Sequence, residues 1–248
     1  MVGSLRFKVA SRFFALSFGI FILFSACFAQ VNPTPPRSPE RILFTDLLKD
    51  QRAFWTSPKH AQKHDLKWLA PFAGATAALI ATDNHISKRL TYSQSQLSTS
   101  HAVSDIGVGC MFGAVGALYL DGHITHRDGR IKTGLLGAEA IAGSEVVVRV
   151  LKITTNRQRP TATGSNGSFR AGGDSFPSGH SIAAWSAATV LANRYSGKRW
   201  VKFSVYGLAS AISLARVTGK NHYPSDVVVG GVLGYLIGSH VSRRYSQN

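Results

Sequence analysis

From Trp68 onward the chain alternates apolar runs with short polar breaks. The runs cover 68–82, 103–120, 133–151, 180–193, 201–217 and 226–241. Gly and Ala recur inside them, Gly, Asn and Pro sit between them, and none keeps a strict every-other alternation. The pattern therefore predicts six helices and no sheet. Upstream, Glu40 to Trp55 carries an uneven apolar stripe of Ile42, Leu43, Leu47, Leu48 and Phe54, which predicts an amphipathic helix that packs on the body or lies on a membrane surface. Residues 30–39 hold four prolines and read as an extended linker.

The first 29 residues have a different character. Arg6, Lys8 and Arg12 precede a nearly unbroken apolar stretch from Phe13 to Phe28, with small residues at Cys27 and Ala29. This is the pattern of a cleaved export signal; an uncleaved anchor and a lipid-modified Cys27 are the alternatives. The expected division is 1–29 signal or anchor, 30–66 linker and amphipathic helix, and 67–248 a single domain.

Charge narrows the partners. The chain has 28 Lys and Arg against 12 Asp and Glu, a formal net charge of +16. Such a surface suits anionic lipid headgroups and phosphate esters. No arginine-rich tract or nucleic-acid module is present, so nucleic acid is not an expected partner. The two cysteines are Cys27, inside the leader, and Cys110, so no disulfide framework is available after cleavage. His60 and His64, interleaved with Lys59, Lys63 and Lys67, read as a solvated basic face. His123 and His126, between Asp121 and Asp128, read as a polar loop. Neither pair predicts a metal site.

The chemistry is concentrated between Lys152 and Asp226. Lys152, Arg159 and Arg216 supply fixed cations that suit the non-bridging oxygens of a phosphoryl group. Pro177 suits a helix start capped by Asp174 or Ser175, which would turn the amides of Ser178 and Gly179 toward an anion. The Ser178 hydroxyl adds a donor, and Gly179 permits close backbone approach. His222 is a candidate nucleophile, Asp226 one helical turn later could hold its other nitrogen, and His180 is a candidate general acid. Each residue alone has an ordinary structural explanation, as a solvated cation or a turn; together they form an inventory for binding and attacking a tetrahedral oxyanion.

Lys152 with Arg159-Pro160 (K-x6-RP), Pro177-Ser178-Gly179-His180 (PSGH), and Arg216, His222 and Asp226 (R-x5-H-x3-D) together resemble the type 2 phosphatidic acid phosphatase (PAP2) superfamily, which includes bacterial class A acid phosphatases and vanadium haloperoxidases. The resemblance covers about 75 residues directly, with all three clusters in order. It implies an all-α fold, a helical bundle of about six core helices with the phosphate site at the ends of four central ones. It also implies that Lys152, Arg159, Ser178, Gly179 and Arg216 bind phosphate. His180 would be the acid, His222 the nucleophile forming a phosphohistidine, and Asp226 its orienting partner, with no metal and no cofactor. Ala215 departs from the Ser found before the Arg in many members.

The implied substrates are lipid phosphates or pyrophosphates, or small phosphoesters in a soluble acid-phosphatase reading. A vanadate-dependent haloperoxidase fits less well, because those enzymes are larger, and a non-catalytic phosphate-binding envelope protein would not need the intact histidines. Runs of about 14 to 19 residues are short against the roughly 20 a membrane-crossing helix needs, and Asp105, Glu139, Glu145 and Arg149 lie inside them. Six full spans also conflict with a cleaved leader unless one run, 68–82, does not cross. The expectation is export to the bacterial envelope, attached to or embedded in the membrane with the site on the periplasmic side, or soluble in the periplasm. Oligomeric state is not legible.

Overall fold

The computed structural model describes residues 39–57 and 62–246; the predicted leader and most of the linker lie outside them. The described residues form α1 (Pro39–Thr56), α2 (Leu66–Arg89), α3 (Gln94–Ile124), α4 (Asp128–Thr155), α5 (Gly179–Arg194), α6 (Arg199–Thr218) and α7 (Pro224–Ser246), with no strand among them. All six predicted core helices and the upstream amphipathic helix are present.

The helices outrun the apolar runs that predict them. α3 begins at Gln94, nine residues before its run, because Ser93 and Gln96 close a reciprocal cap on its first turn. α2 continues through the polar Asp83-Asn84-His85 to Arg89, since Asp83 is buried against the body rather than marking a break. His123 also departs from its expected loop. It lies in the last turn of α3 with its ring against Tyr119, and only His126 takes a left-handed turn conformation, at φ 51°. His60 lies outside the described residues, and His64 sits beside Asp65 at 3.1 Å.

α5 is the hub. Every residue from Ser181 to Leu191 except Trp185 is buried, so it is apolar or small on all sides rather than amphipathic. One flank, Ile182 and Val190, packs on Leu136, Ala140, Val147 and Val148 of α4 and on Ile237 and Val241 of α7. The other flank, Ala184, Ala188 and Leu191, packs on Met111 of α3 and on Ala209 and Ile212 of α6. The α5–α7 seam is the closest. A side chain added at Gly234 would stand 2.3 Å from the Ile182 carbonyl, and one at Gly238 2.5 Å from that of Ser186. Glycine spacing on α7 thus brings two backbones into direct contact.

This packing runs α4 and α6 toward the site end and α5 and α7 away from it. The C-termini of α4 and α6 and the N-termini of α5 and α7 therefore meet, and these four ends carry the three sequence clusters.

Candidate active site

Lys152 occupies the last turn of α4, which Asn156 closes in a left-handed conformation at φ 45°. The chain then turns through Arg157 and Arg159 into the Gly-rich stretch 161–173. That stretch does not swing free: the amides of Arg170 and Ala171 donate to the carbonyls of Thr155 and Asn156, and that of Gln158 to Ser168. It forms a rim tied back onto the exit of α4.

The PSGH cluster starts α5 later than predicted. Pro177 precedes the helix, Ser178 is the N-cap, and the first helical residue is Gly179. Neither Asp174 nor Ser175 caps it. The Ser178 amide, expected to face an anion, donates instead to the carbonyl of Asp226 at 3.0 Å, stapling α5 to α7. Its hydroxyl accepts from Ser181 and keeps its own proton to give. A Cβ at Gly179 would meet only Val148 Cγ1, at 3.8 Å, an ordinary contact, so packing within the protein does not require glycine here.

The third cluster spans the α6–α7 connection. Arg216 is buried in the last turn of α6, and the amides of Asn221 and His222 return to its carbonyl. His222 is 3% exposed. Its Nδ1 donates to the carbonyl of Ser175 at 2.7 Å. A carbonyl only accepts, so Nδ1 carries the proton and Nε2 is left with its lone pair. Asp226, expected as the direct partner, stands further off, with Oδ2 3.6 Å from Nδ1. It acts on His222 through Ser175, whose hydroxyl donates to Asp226 at 2.5 Å while its carbonyl holds the ring.

Behind Asp226 lies a buried network that the sequence clusters do not announce. Arg157, 1% exposed, donates to Asp226 at 2.6 Å and to Asp83 of α2 at 2.8 Å, and also to Ser225 and the Gly167 carbonyl. Its guanidinium lies between the rings of Phe169 and Tyr223. Ser225 donates to Asp83 through both amide and hydroxyl. A buried cation with two carboxylates and every polar edge satisfied fixes α2, the rim and the start of α7 in one arrangement.

On the open side, two more carboxylates face the cluster. Asp174 takes the fork of Arg159, at 2.6 and 2.9 Å, and stands 3.6 Å from Lys152. Asp105 of α3 touches His180 Nε2 at 3.0 Å and Arg216 at 3.3 Å. Burial, together with the charges of Arg216, Arg159, Lys152 and His180, holds His222 well below the ordinary imidazole range and therefore neutral. The four charges come from all three sequence clusters. Burial lowers His180 as well, against the raising effect of its bond to Asp105. Burial pushes the Asp174 carboxyl up, but the Arg159 hydrogen bond and the charges of Lys152, Arg159 and His222 outweigh it and keep it below the usual carboxylate range.

Residues 134–248, which contain all three clusters, match the profile of the PAP2 superfamily. A lipid A 1-phosphatase of Porphyromonas gingivalis is 31% identical over 93 residues, 37% of this chain and 19% of that protein. A PA-phosphatase related-family protein of Dictyostelium discoideum is 30% identical over 110 residues, again 37% of this chain and 41% of the other. The chain thus spans less than half the length of these curated relatives. Among solved structures, a transmembrane PAP2 type phosphatidylglycerolphosphate phosphatase from Bacillus subtilis superposes over 83% of this chain and 94% of its own, at 21% identity and a TM-score of 0.51, which is a likeness of fold. Over residues 134–248, a little under half of its length, this chain is similar to the PAP2 superfamily.

Proposed function

We propose that this protein is a metal-independent phosphatase that hydrolyses phosphomonoesters or pyrophosphates of lipids through a phosphohistidine on His222, at the outer face of the cytoplasmic membrane. The observation that carries the reading is the state of His222. It is a buried, neutral imidazole with Nδ1–H committed to Ser175, and so with a free Nε2 lone pair among Lys152, Arg159 and Arg216.

In the first step Nε2 attacks phosphorus, the bond to the leaving oxygen breaks, and His180 gives that oxygen its proton. In the second, neutral His180 takes a proton from water as the water oxygen attacks phosphorus; the P–N bond breaks and its electron pair returns to Nε2. Lys152, Arg159, Arg216 and the Ser178 hydroxyl hold the non-bridging oxygens, whose charge is spread widest between the two states. Positioned charge supplies most of the acceleration in such a site. Gly179, which packing does not require, leaves room for the phosphoryl group to approach the start of α5.

Lipid substrates are supported by the names of the relatives and by the outer surface. α3 is long and apolar enough to cross a membrane, and only 22% of its most apolar stretch is buried inside the protein, whereas a soluble core helix would be mostly covered. Ile106 and Ile124 are exposed on α3 itself, and Trp68 of α2 and Trp200 and Phe203 of α6 add further exposed apolar area. The end of the bundle opposite the site carries Arg127, Arg130, Arg199, Lys202 and Arg243, and the positive-inside rule turns that end to the cytoplasm and the site outward.

The test is phosphate release by detergent-extracted protein in EDTA, from a lipid phosphate and a water-soluble phosphoester in parallel. The expected result is activity that survives EDTA, favours the lipid and vanishes in His222→Ala. Preference for the soluble ester would make the protein a general acid phosphatase, and release unaffected by His222→Ala would overturn the mechanism.

A further inference from the structure

The three cations of the site are already engaged. Arg159 gives its whole fork to Asp174, which also neutralises Lys152, so one carboxylate occupies the positions where two of the proposed phosphate ligands would meet their oxygens. Asp174 is no structural ion pair of the core: its side chain is 59% exposed, and it caps no helix.

Its backbone, by contrast, is fixed. The amides on either side, Gly173 and Ser175, donate to Asn156 and Arg157, and a Cβ at Gly173 would lie 2.2 Å from the Arg157 carbonyl, so only glycine allows the two segments to approach this closely. Asp174 is therefore presented to the cations on a rigid tether, and a change of side-chain rotamer suffices to withdraw it.

We propose that Asp174 is an internal competing anion, which the substrate phosphoryl group displaces from Arg159 and Lys152 and which retakes them as inorganic phosphate leaves. This rests on the phosphatase reading above. The chemistry favours the exchange in both directions. A phosphoryl dianion carries more charge than a carboxylate and reaches Arg216 and Ser178 as well, so it wins the cations when it arrives. After hydrolysis a cradle of three bare cations would hold product tightly, and an anion always at hand lowers apparent phosphate affinity by the fraction of sites it occupies.

The experiment measures inorganic phosphate on purified full-length protein, both as equilibrium binding and as competitive inhibition, in wild type, Asp174→Asn and Asp174→Glu. Asp174→Asn is expected to tighten phosphate binding and lower KM by about five- to tenfold, the worth of a well-formed but exposed ion pair, with kcat no higher. Asp174→Glu, which keeps the charge on a longer arm, is expected to bind phosphate as the wild type does. Asp174→Asn protein that binds phosphate no more tightly, while the wild type binds and turns over normally, overturns the proposal alone. Weaker binding in Asp174→Asn would do the same, by making Asp174 a support that positions Arg159. Wild-type protein that neither binds phosphate nor releases it from esters overturns the phosphatase reading together with this one.

Discussion

At the scale of single residues, the candidate site is held by groups outside the proposed phosphate ligands and catalytic residues. Arg157 bridges Asp83 and Asp226, and its loss would leave two carboxylates buried without their cation. Arg157→Met is expected to cost about 3–5 kcal/mol, the usual penalty for breaking a buried pair by removing one partner. Thermal melting of the extracted protein checks this; an unchanged midpoint would mean that Asp83 and Asp226 are stable without it. Asp105 has a different task. Its carboxylate raises the proton affinity of His180 against the lowering effect of burial, and a proposed general acid must be protonated to serve the leaving oxygen. Removing that support lowers the pH at which His180 loses its proton. Asp105→Asn should therefore move the alkaline limb of the kcat/KM profile to lower pH, and a limb that stays in place would detach Asp105 from His180.

The candidate site groups stand out in the sequence because they sit at short fixed spacings: Lys152 to Arg159, Ser178 to His180, His222 to Asp226. Their supports do not. Arg157 lies inside the first cluster but reads as one more solvated arginine, since nothing nearby in the chain shows that it is buried. Its partner Asp83 is 74 residues earlier, and Asp105 is 75 residues before His180. Asp83 falls just past the 68–82 run, where it reads as part of a polar break, and Asp105 reads as an isolated charge in an apolar run, because pairing at that separation is decided by packing. The indirect hold of Asp226 on His222 was hidden for another reason. The i, i+4 spacing brings the two side chains within 3.6 Å, and the main-chain carbonyl of Ser175 then takes the hydrogen bond.

At the scale of elements, the seam between α5 and α7 sets the distance between the proposed acid and the proposed nucleophile. His180 leads one helix and His222 precedes the other, and the Ser178 amide bonds the Asp226 carbonyl across them. Gly234 lies in mid-seam with the Ile182 carbonyl where its Cβ would be. Gly234→Ala must push the helices apart, at about 1–3 kcal/mol for overpacking. The melting temperature and kcat should fall together; retention of both would show that the seam has slack. The helix pattern of the sequence anticipated each of these elements. It missed their lengths, because helix ends here are set by polar features, the Ser93–Gln96 cap and the burial of Asp83, that a hydrophobic run does not register.

At the scale of the molecule, a buried hub helix carries the site at one end of the bundle, with apolar flanks around it and a basic far end. This polarity supports the proposed setting at a membrane, where a lipid phosphate would present its headgroup to the site while its chains stay beside α3. The central claim is a covalent intermediate on one imidazole, and the most direct measurement is to trap it. Protein mixed with a 32P-labelled lipid phosphate is quenched in alkali within the first turnover, digested and mapped. The account predicts acid-labile, alkali-stable label on the peptide containing His222, and none in His222→Ala. Steady release of phosphate with no label on that peptide, or with label elsewhere, would contradict it.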